Sequence, residues 1–143
     1  MNSGFIKEGV HYFTLRVYYE DTDAGILVYH ANYLKFAERA RTEFLRSQGY
    51  DQHALAEETQ TIFVVSKISI AYHAPAKLDD LISVHTKIES CSRISITFKQ
   101  DIFLDQKLLA SLQVVVVGVH QETGRPVAFS KEIQTVLMEI MND

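Results

Sequence analysis

The 143-residue sequence contains one cysteine, two prolines and no tryptophan. A lone Cys91 closes no intrachain disulfide and cannot anchor a cysteine-rich metal site, which fits a reducing compartment. Lys and Arg number 14 against 18 Asp and Glu, for a net charge of -4, and they occur as scattered singles rather than runs. Such a chain has no positive field to hold a phosphate backbone, so nucleic acid is not an expected partner. The N-terminal segment MNSGFIKEGVHYFTLRVYYEDTD has a polar or charged residue every few positions. It offers no apolar run suited to a signal peptide or a membrane-spanning helix, and the expected location is the cytoplasm. Gly-rich phosphate loops, G-x-S-x-G, H-E-x-x-H and C-x-x-C are all missing, and the six histidines, at 11, 30, 53, 73, 85 and 120, are dispersed. Neither a metal centre nor a cofactor is expected.

What the sequence does have is apolar material for a core. Hydrophobic residues make up 47% and charged residues 22%, a globular balance in a chain the length of one domain, so residues 1–143 are read as a single unit. Between His11 and Tyr19 the β-formers Tyr12, Phe13, Leu15, Val17, Tyr18 and Tyr19 predict a strand that ends in Glu20-Asp21-Thr22-Asp23 and breaks at Ala24-Gly25. Tyr33, Phe36, Ala37, Ala40, Phe44 and Leu45, at spacings of three and four, predict one long helix over 31–48 that stops at Gly49. A shorter helical turn is expected from Asp51 to Ala56. Then TIFVVSKISIAYHA, LISVHTKIES, ISITFKQDIFL and KLLASLQVVVVGVH read as four strands. The punctuation between them is short, which predicts an antiparallel meander, and SKEIQTVLMEIM reads as a closing helix or short strand. A single long helix beside so much sheet implies an α+β arrangement in which a curved antiparallel sheet wraps around the helix, the hotdog fold. Such a sheet has a free edge, and pairing through an edge strand is the natural way to protect it.

The segment YYEDTDAGILVYHANY brings carboxylates, a glycine bend and a helix start together. The first turn of a helix presents unpaired N–H groups and a partial positive charge, which would polarise a thioester carbonyl laid against it. A carboxylate on the approach, Asp23, can then act as general base on water or attack the carbonyl itself, and a thiolate leaves without a strong general acid. The plainer alternative is that Asp21, Thr22 and Asp23 only terminate a turn. His30 is read either as a catalytic residue or as a helix-entry histidine bonded to solvent or backbone. Glu38 and Glu43 among Arg39, Arg41 and Arg46 look like surface pairing on the helix.

VYYEDTDAGILVYHANYLKFAERARTEFL, continued by FVVSKISIAYHAPAKLDDLISVHTKI, resembles the 4-hydroxybenzoyl-CoA thioesterase family of hotdog proteins, and within it the branch associated with the bacterial Tol/Pal envelope system. The resemblance implies acyl-coenzyme A as substrate, with Asp23 as base or nucleophile and the backbone N–H near His30 as carbonyl donor. It also implies a site completed in a homodimer or homotetramer. Coenzyme A would be part of the substrate, and no separate cofactor is implied. Gly25, Tyr29, Tyr33, Phe36 and Phe63 are the expected pocket residues, and Lys67, Lys77, Arg93 and Lys99 the candidates for the coenzyme A phosphates. Two departures from the family pattern stand out: Ile26, where a second glycine is usual and where a β-branched residue is expected to restrict the bend, and Ser66, where relatives tend to carry Arg.

The expected activity is hydrolysis of short- to medium-chain or aromatic acyl-CoA. Competing expectations are a hotdog hydratase acting on the acyl chain, and a non-catalytic acyl-thioester binding or scaffolding subunit. Acyl-carrier protein or envelope-associated partners, and a place peripheral to the inner membrane, belong to the same set of expectations.

Overall fold

The computed structural model describes residues 3–143, with the side chain of Glu58 outside the description. The part of the N-terminal reading that falls on Met1 and Asn2 therefore lies outside the described residues. In chain order the elements are β1 (Phe5–Lys7), β2 (Val10–Arg16), a turn of 3-10 helix (Tyr19–Asp21), β3 (Thr22–Asp23), β4 (Leu27–Val28), α1 (Asn32–Ser47) and α2 (Gln52–Thr59). They continue with β5 (Thr61–Tyr72), β6 (Leu81–Cys91), β7 (Ser95–Leu104), β8 (Lys107–His120) and α3 (Lys131–Met141). No helix among the described residues is long and apolar enough to cross a membrane.

Six strands form one antiparallel sheet in the order β1-β2-β6-β7-β8-β5, and β3 and β4 form a separate two-stranded hairpin. Buried and less buried residues alternate along β6 and β7, so that Ile82, Val84, Thr86 and Ile88 share one face with Ile96, Phe98, Gln100 and Ile102. That face closes on the apolar stripe of α1, where Phe36, Ala37, Ala40 and Phe44 are fully buried. Phe36 and Phe44 each contribute about 1.5–3 kcal/mol of transfer free energy. The result is the α+β hotdog arrangement, a sheet curved around one long helix.

The meander is half right. β6, β7 and β8 are sequential neighbours, but β5 pairs with β8 and not with β6. The edge of β6 is occupied by β2, whose register runs from Val10 opposite Lys87 to Arg16 opposite Leu81, which leaves β5 the free edge of β8. The segment 73–80 consequently crosses the end of the sheet, and its backbone bonds in turn to Leu109 of β8, to the β3–β4 hairpin and to Val17 beyond β2. Val28 N–H donates to Ala76 O, Leu78 N–H to Ile26 O and Val17 N–H to Asp80 O. The short strand β1 and the β3–β4 hairpin are additions to the predicted order. The tail resolves as a helix, capped by Ser130, whose hydroxyl accepts from Ile133 N–H at 3.2 Å.

Candidate active site

The hairpin and the entry of α1 are built as one piece. Between the paired Asp23 and Leu27 the chain turns through Ala24, Gly25 and Ile26, with the first two in the left-handed region, Ala24 at φ 56° and Gly25 at φ 76°. That is the primed geometry whose twist suits a hairpin, and it is costly for Ala24, which has a Cβ. Thr22 pairs with Val28, Asp23 with Leu27, and Tyr29 N–H donates to Asp21 O at 3.0 Å, so three rungs tie the acidic segment to the residues leading into the helix. Two strand residues, about 7 Å, separate Asp23 from the Asp21–Tyr29 rung.

The two aspartates have opposite environments. Asp21 is 2% exposed, and its carboxylate accepts from Tyr18 N–H at 2.9 Å and from Asn32 Nδ2 at 2.8 Å. It is a clamp between hairpin and helix, and Asn32 is its partner from the first turn of α1. The sequence reading placed Asp21 only as a turn residue and gave Asn32 no role. The pairing of an Asp with an Asn eleven residues later, across a bend, is legible only when the hairpin is known. Asp23 is exposed, and among the described residues its carboxylate accepts no hydrogen bond from the protein. It is therefore available to a ligand or to water.

The helix end beside the hairpin is only partly satisfied, with Asn32 N–H donating to Tyr29 O and Leu34 N–H to Ala31 O. The N-cap is Ala31, which supplies no side-chain cap, and the first turn carries no acidic residue. Among the described residues, the backbone N–H groups of His30 and Ala31 reach no protein acceptor. Free donors and the positive end of the helix dipole thus lie next to a hairpin that carries an unengaged carboxylate.

The other expected residues divide sharply. His30 is exposed, with its ring 4.5 Å from that of Tyr29 and its carbonyl accepting from Tyr72 OH at 2.8 Å, so β5 holds the helix entry through the backbone of His30. Tyr29 is exposed. Tyr33 is not a pocket wall in the protomer: it is 3% exposed, its hydroxyl accepts from Ala76 N–H at 3.0 Å, and burial pushes its hydroxyl pKa up. Phe36 is likewise core. Ile26 does not restrict the bend, because it follows the left-handed pair and projects 65% exposed. Lys77 lies against the hairpin through the bridge with Leu27. Lys67 stands at an irregularity midway along β5, where Ser66 is bulged out of register. Arg93 follows the far end of β6, an 11-residue strand of about 33 Å whose near end adjoins the hairpin, so one protomer does not bring it to Asp23. Lys99 is spent on Asp101, Nζ to Oδ1 at 3.0 Å. Phe63 faces a different place, a cavity beside α1 and α2. Among the described residues no three His, Cys, Asp or Glu gather as a metal site.

Comparison with known proteins agrees with this fold. A family model described as Thioesterase-like superfamily matches residues 17–137. The chain is similar to the acyl-CoA thioesterase YbgC of Haemophilus influenzae, 47% identical over 122 residues that span 85% of this chain and 90% of that protein. It is equally similar to the acyl-CoA thioester hydrolase YbgC of Escherichia coli, 47% identical over 120 residues, 83% of this chain and 89% of the relative. Among solved structures, a "Probable Thioesterase" from Bartonella henselae superimposes with a TM-score of 0.81 at 34% identity, covering 85% of this chain and 99% of that one. The DHNA-CoA thioesterase of Staphylococcus aureus, at 20% identity and a TM-score of 0.85 over 93% of this chain and 91% of its own, shares the fold. With its family model spanning the helix entry, the hairpin and most of the sheet, the chain belongs to the thioesterase-like superfamily.

Proposed function

We propose that the protein hydrolyses short- to medium-chain or aromatic acyl-CoA thioesters to the free acid and coenzyme A, with Asp23 as the reacting carboxylate. The observation that carries this reading is the pairing of an unengaged Asp23 with an uncapped helix N-terminus, held in register by the Asp21–Asn32 clamp. The thioester oxygen lies against the N–H groups of His30 and Ala31, which stabilise the negative charge that develops on it. Asp23 either takes a proton from the attacking water or attacks the carbonyl carbon itself, expelling the coenzyme A thiolate and leaving an anhydride that water opens. No cofactor takes part in either route.

The long edge strand β5 carries Val64, Val65, Ile68 and Tyr72 exposed. An apolar edge of this kind calls for a partner strand, and a second copy of the chain supplies it in a homodimer, which can pair again into a homotetramer. In that assembly Lys77 of one copy and Lys67 of the other serve the coenzyme A phosphates. The proposed location is the cytoplasm, peripheral to the inner membrane when envelope partners or acyl-carrier protein are engaged. The test is release of free thiol from a panel of acyl-CoA esters that varies chain length and includes aromatic acids, with elution volume recorded on the same sample. Turnover of at least one class of ester by a dimer or larger species is the expected result. Ester binding without turnover would instead assign the protein to acyl-thioester binding. Single turnover in ¹⁸O-water separates the routes, since only the anhydride route can leave ¹⁸O in the Asp23 carboxylate.

A further inference from the structure

Beside the C-terminal half of α1 lies a cavity of about 250 Å³ that the proposed reaction leaves unused. Its floor is apolar, formed by Leu45, Phe63, Ile96, Phe98 and Val116, with Val65 at its β5 side. Its other wall is Arg41, which is only 8% exposed. Arg41 Nη1 donates to Gln100 Oε1 at 2.9 Å, and Gln100 is itself fixed by donating to Ala37 O at 2.9 Å and Thr86 Oγ1 at 3.0 Å. Among the described residues Arg41 makes no other hydrogen bond, and no carboxylate lies within ion-pair distance of it. The guanidinium is thus oriented through one nitrogen, while the side-on fork of Nε and Nη2 meets no acceptor among the described residues and is not sealed from the solvent that fills the cavity.

A buried cation without a counter-ion is expensive, and proteins rarely keep one unless something pairs with it. Burial pulls the Arg41 pKa down from its usual value, opposed only by the field of Glu38. Glu38, one turn earlier and exposed, is the sole carboxylate lining the cavity.

We propose that this cavity is a binding site for a small amphiphilic organic acid, whose carboxylate docks side-on to Arg41 and whose apolar body lies on Phe63, Phe98 and Val116. The side-on fork matches a planar carboxylate in bidentate geometry. Glu38 at the rim disfavours a doubly charged phosphate more than a singly charged carboxylate. At the roughly 30 Å³ that one water occupies in the liquid, the volume admits an acid of about eight non-hydrogen atoms. Arg41 lies nine residues beyond Asn32, about 13 Å down the helix from the proposed reaction site, so this is a second locus and not the thioester cradle. The carboxylate has two chemical sources: a free acid, or the far carboxyl of an acyl-CoA whose acyl group comes from a dicarboxylic acid. The second source rests on the thioesterase reading, and the first does not.

Calorimetric titration of the purified protein with hexanoate and with benzoate, using hexanol as the neutral control, tests the first source. Comparison of kcat/KM for adipoyl-CoA and hexanoyl-CoA tests the second. The account expects saturable acid binding that hexanol does not reproduce, or a preference for adipoyl-CoA. The effect should be at least about tenfold weaker in Arg41→Gln, as the loss of a charge-assisted bond requires. Val65→Phe, which narrows the cavity from its β5 side, must abolish the same effect at an elution volume equal to the parent's, so that a lost β5 pairing is not the cause, and Glu38→Gln must strengthen it. Both variants stay informative should Arg41→Gln fail to fold. If neither acid binds and adipoyl-CoA shows no preference, or if Val65→Phe and Glu38→Gln leave the effect unchanged, the proposal is overturned. If no ester is turned over at all, the calorimetric arm alone decides it.

Discussion

Two aspartates two residues apart are assigned opposite work, and removing each in turn separates them. Asp21→Ala deletes both acceptors of the buried clamp and strands Tyr18 N–H and the Asn32 amide. Each bond to an ionised group is worth about 1.5–3 kcal/mol, so the loss is on the order of 3–6 kcal/mol. For a chain of this size that corresponds to a melting temperature lower by roughly 9–18 °C, at about 3 °C per kcal/mol. Asp21→Asn should recover part of it. Its oxygen still accepts from Tyr18 N–H, and a flipped Asn32 amide can accept from the new NH₂, so what is lost is the charge assistance, about half of each bond. Asp23, which engages no protein donor, should behave differently: Asp23→Asn is expected within about 0.5 kcal/mol of the parent in stability, as an exposed substitution is. Thermal denaturation of the three variants, followed by thiol-release assays on the same samples, reads both properties. Equal melting temperatures for Asp21→Ala and the parent, or a loss in Asp23→Asn as large as that in Asp21→Ala, would refute the division of roles.

Two further outcomes follow from the same physical chemistry. Gly25→Ala places a Cβ in the left-handed region and 2.8 Å from the Tyr19 ring, so it should cost about 1–2 kcal/mol and slow turnover, whereas Ala24→Gly should be neutral or stabilising; denaturant titration checks both. His11 is fully buried, its Nε2–H donates to Ser3 O at 2.8 Å, and its bare Nδ1 has no partner among the described residues. Burial lowers its pKa, opposed by Ser3 and Glu43, and His85 is lowered for the same first reason. A lowered folded-state pKa means that the unfolded chain takes the proton first. Stability should therefore be complete above about pH 6.5 and fall as pH drops below it, by up to about 1.4 kcal/mol per pH unit for each such histidine. Denaturation midpoints flat between pH 7.5 and 5.5 would contradict this.

Much of the architecture was legible because periodicity carried it. The helix expected over 31–48 is observed as Asn32–Ser47, since Phe36, Ala40 and Phe44 fall on one stripe that only a helix aligns. The four later strands were legible from their β-branched runs, but their order was not. Whether β5 takes the edge of β6 or of β8 depends on where β2 docks, and that is a long-range choice which local turn signals do not record. Tyr33 was misplaced for a related reason: a tyrosine on an apolar stripe reads as pocket wall or core alike until its hydroxyl finds Ala76 N–H, 43 residues away. Arg41 was read as helix-surface charge from its neighbours Glu38 and Glu43. Its position on the buried stripe with Ala37, Phe44 and Leu45 was visible in the spacing, but the Gln100 that holds it lies 59 residues on. Asp23 and the start of α1 were legible as neighbours because acid, bend and helix entry are contiguous in sequence.

The central claim is that Asp23 supplies the reacting oxygen or base beside the α1 N-terminus. The most direct measurement is kcat/KM of the parent and Asp23→Asn on the best ester of the panel, with melting temperatures taken alongside. A fall of two or more decades at unchanged melting temperature is the predicted result, as loss of a general base or nucleophile entails. Undiminished hydrolysis by a folded Asp23→Asn protein would contradict the account and move the chemistry to another residue.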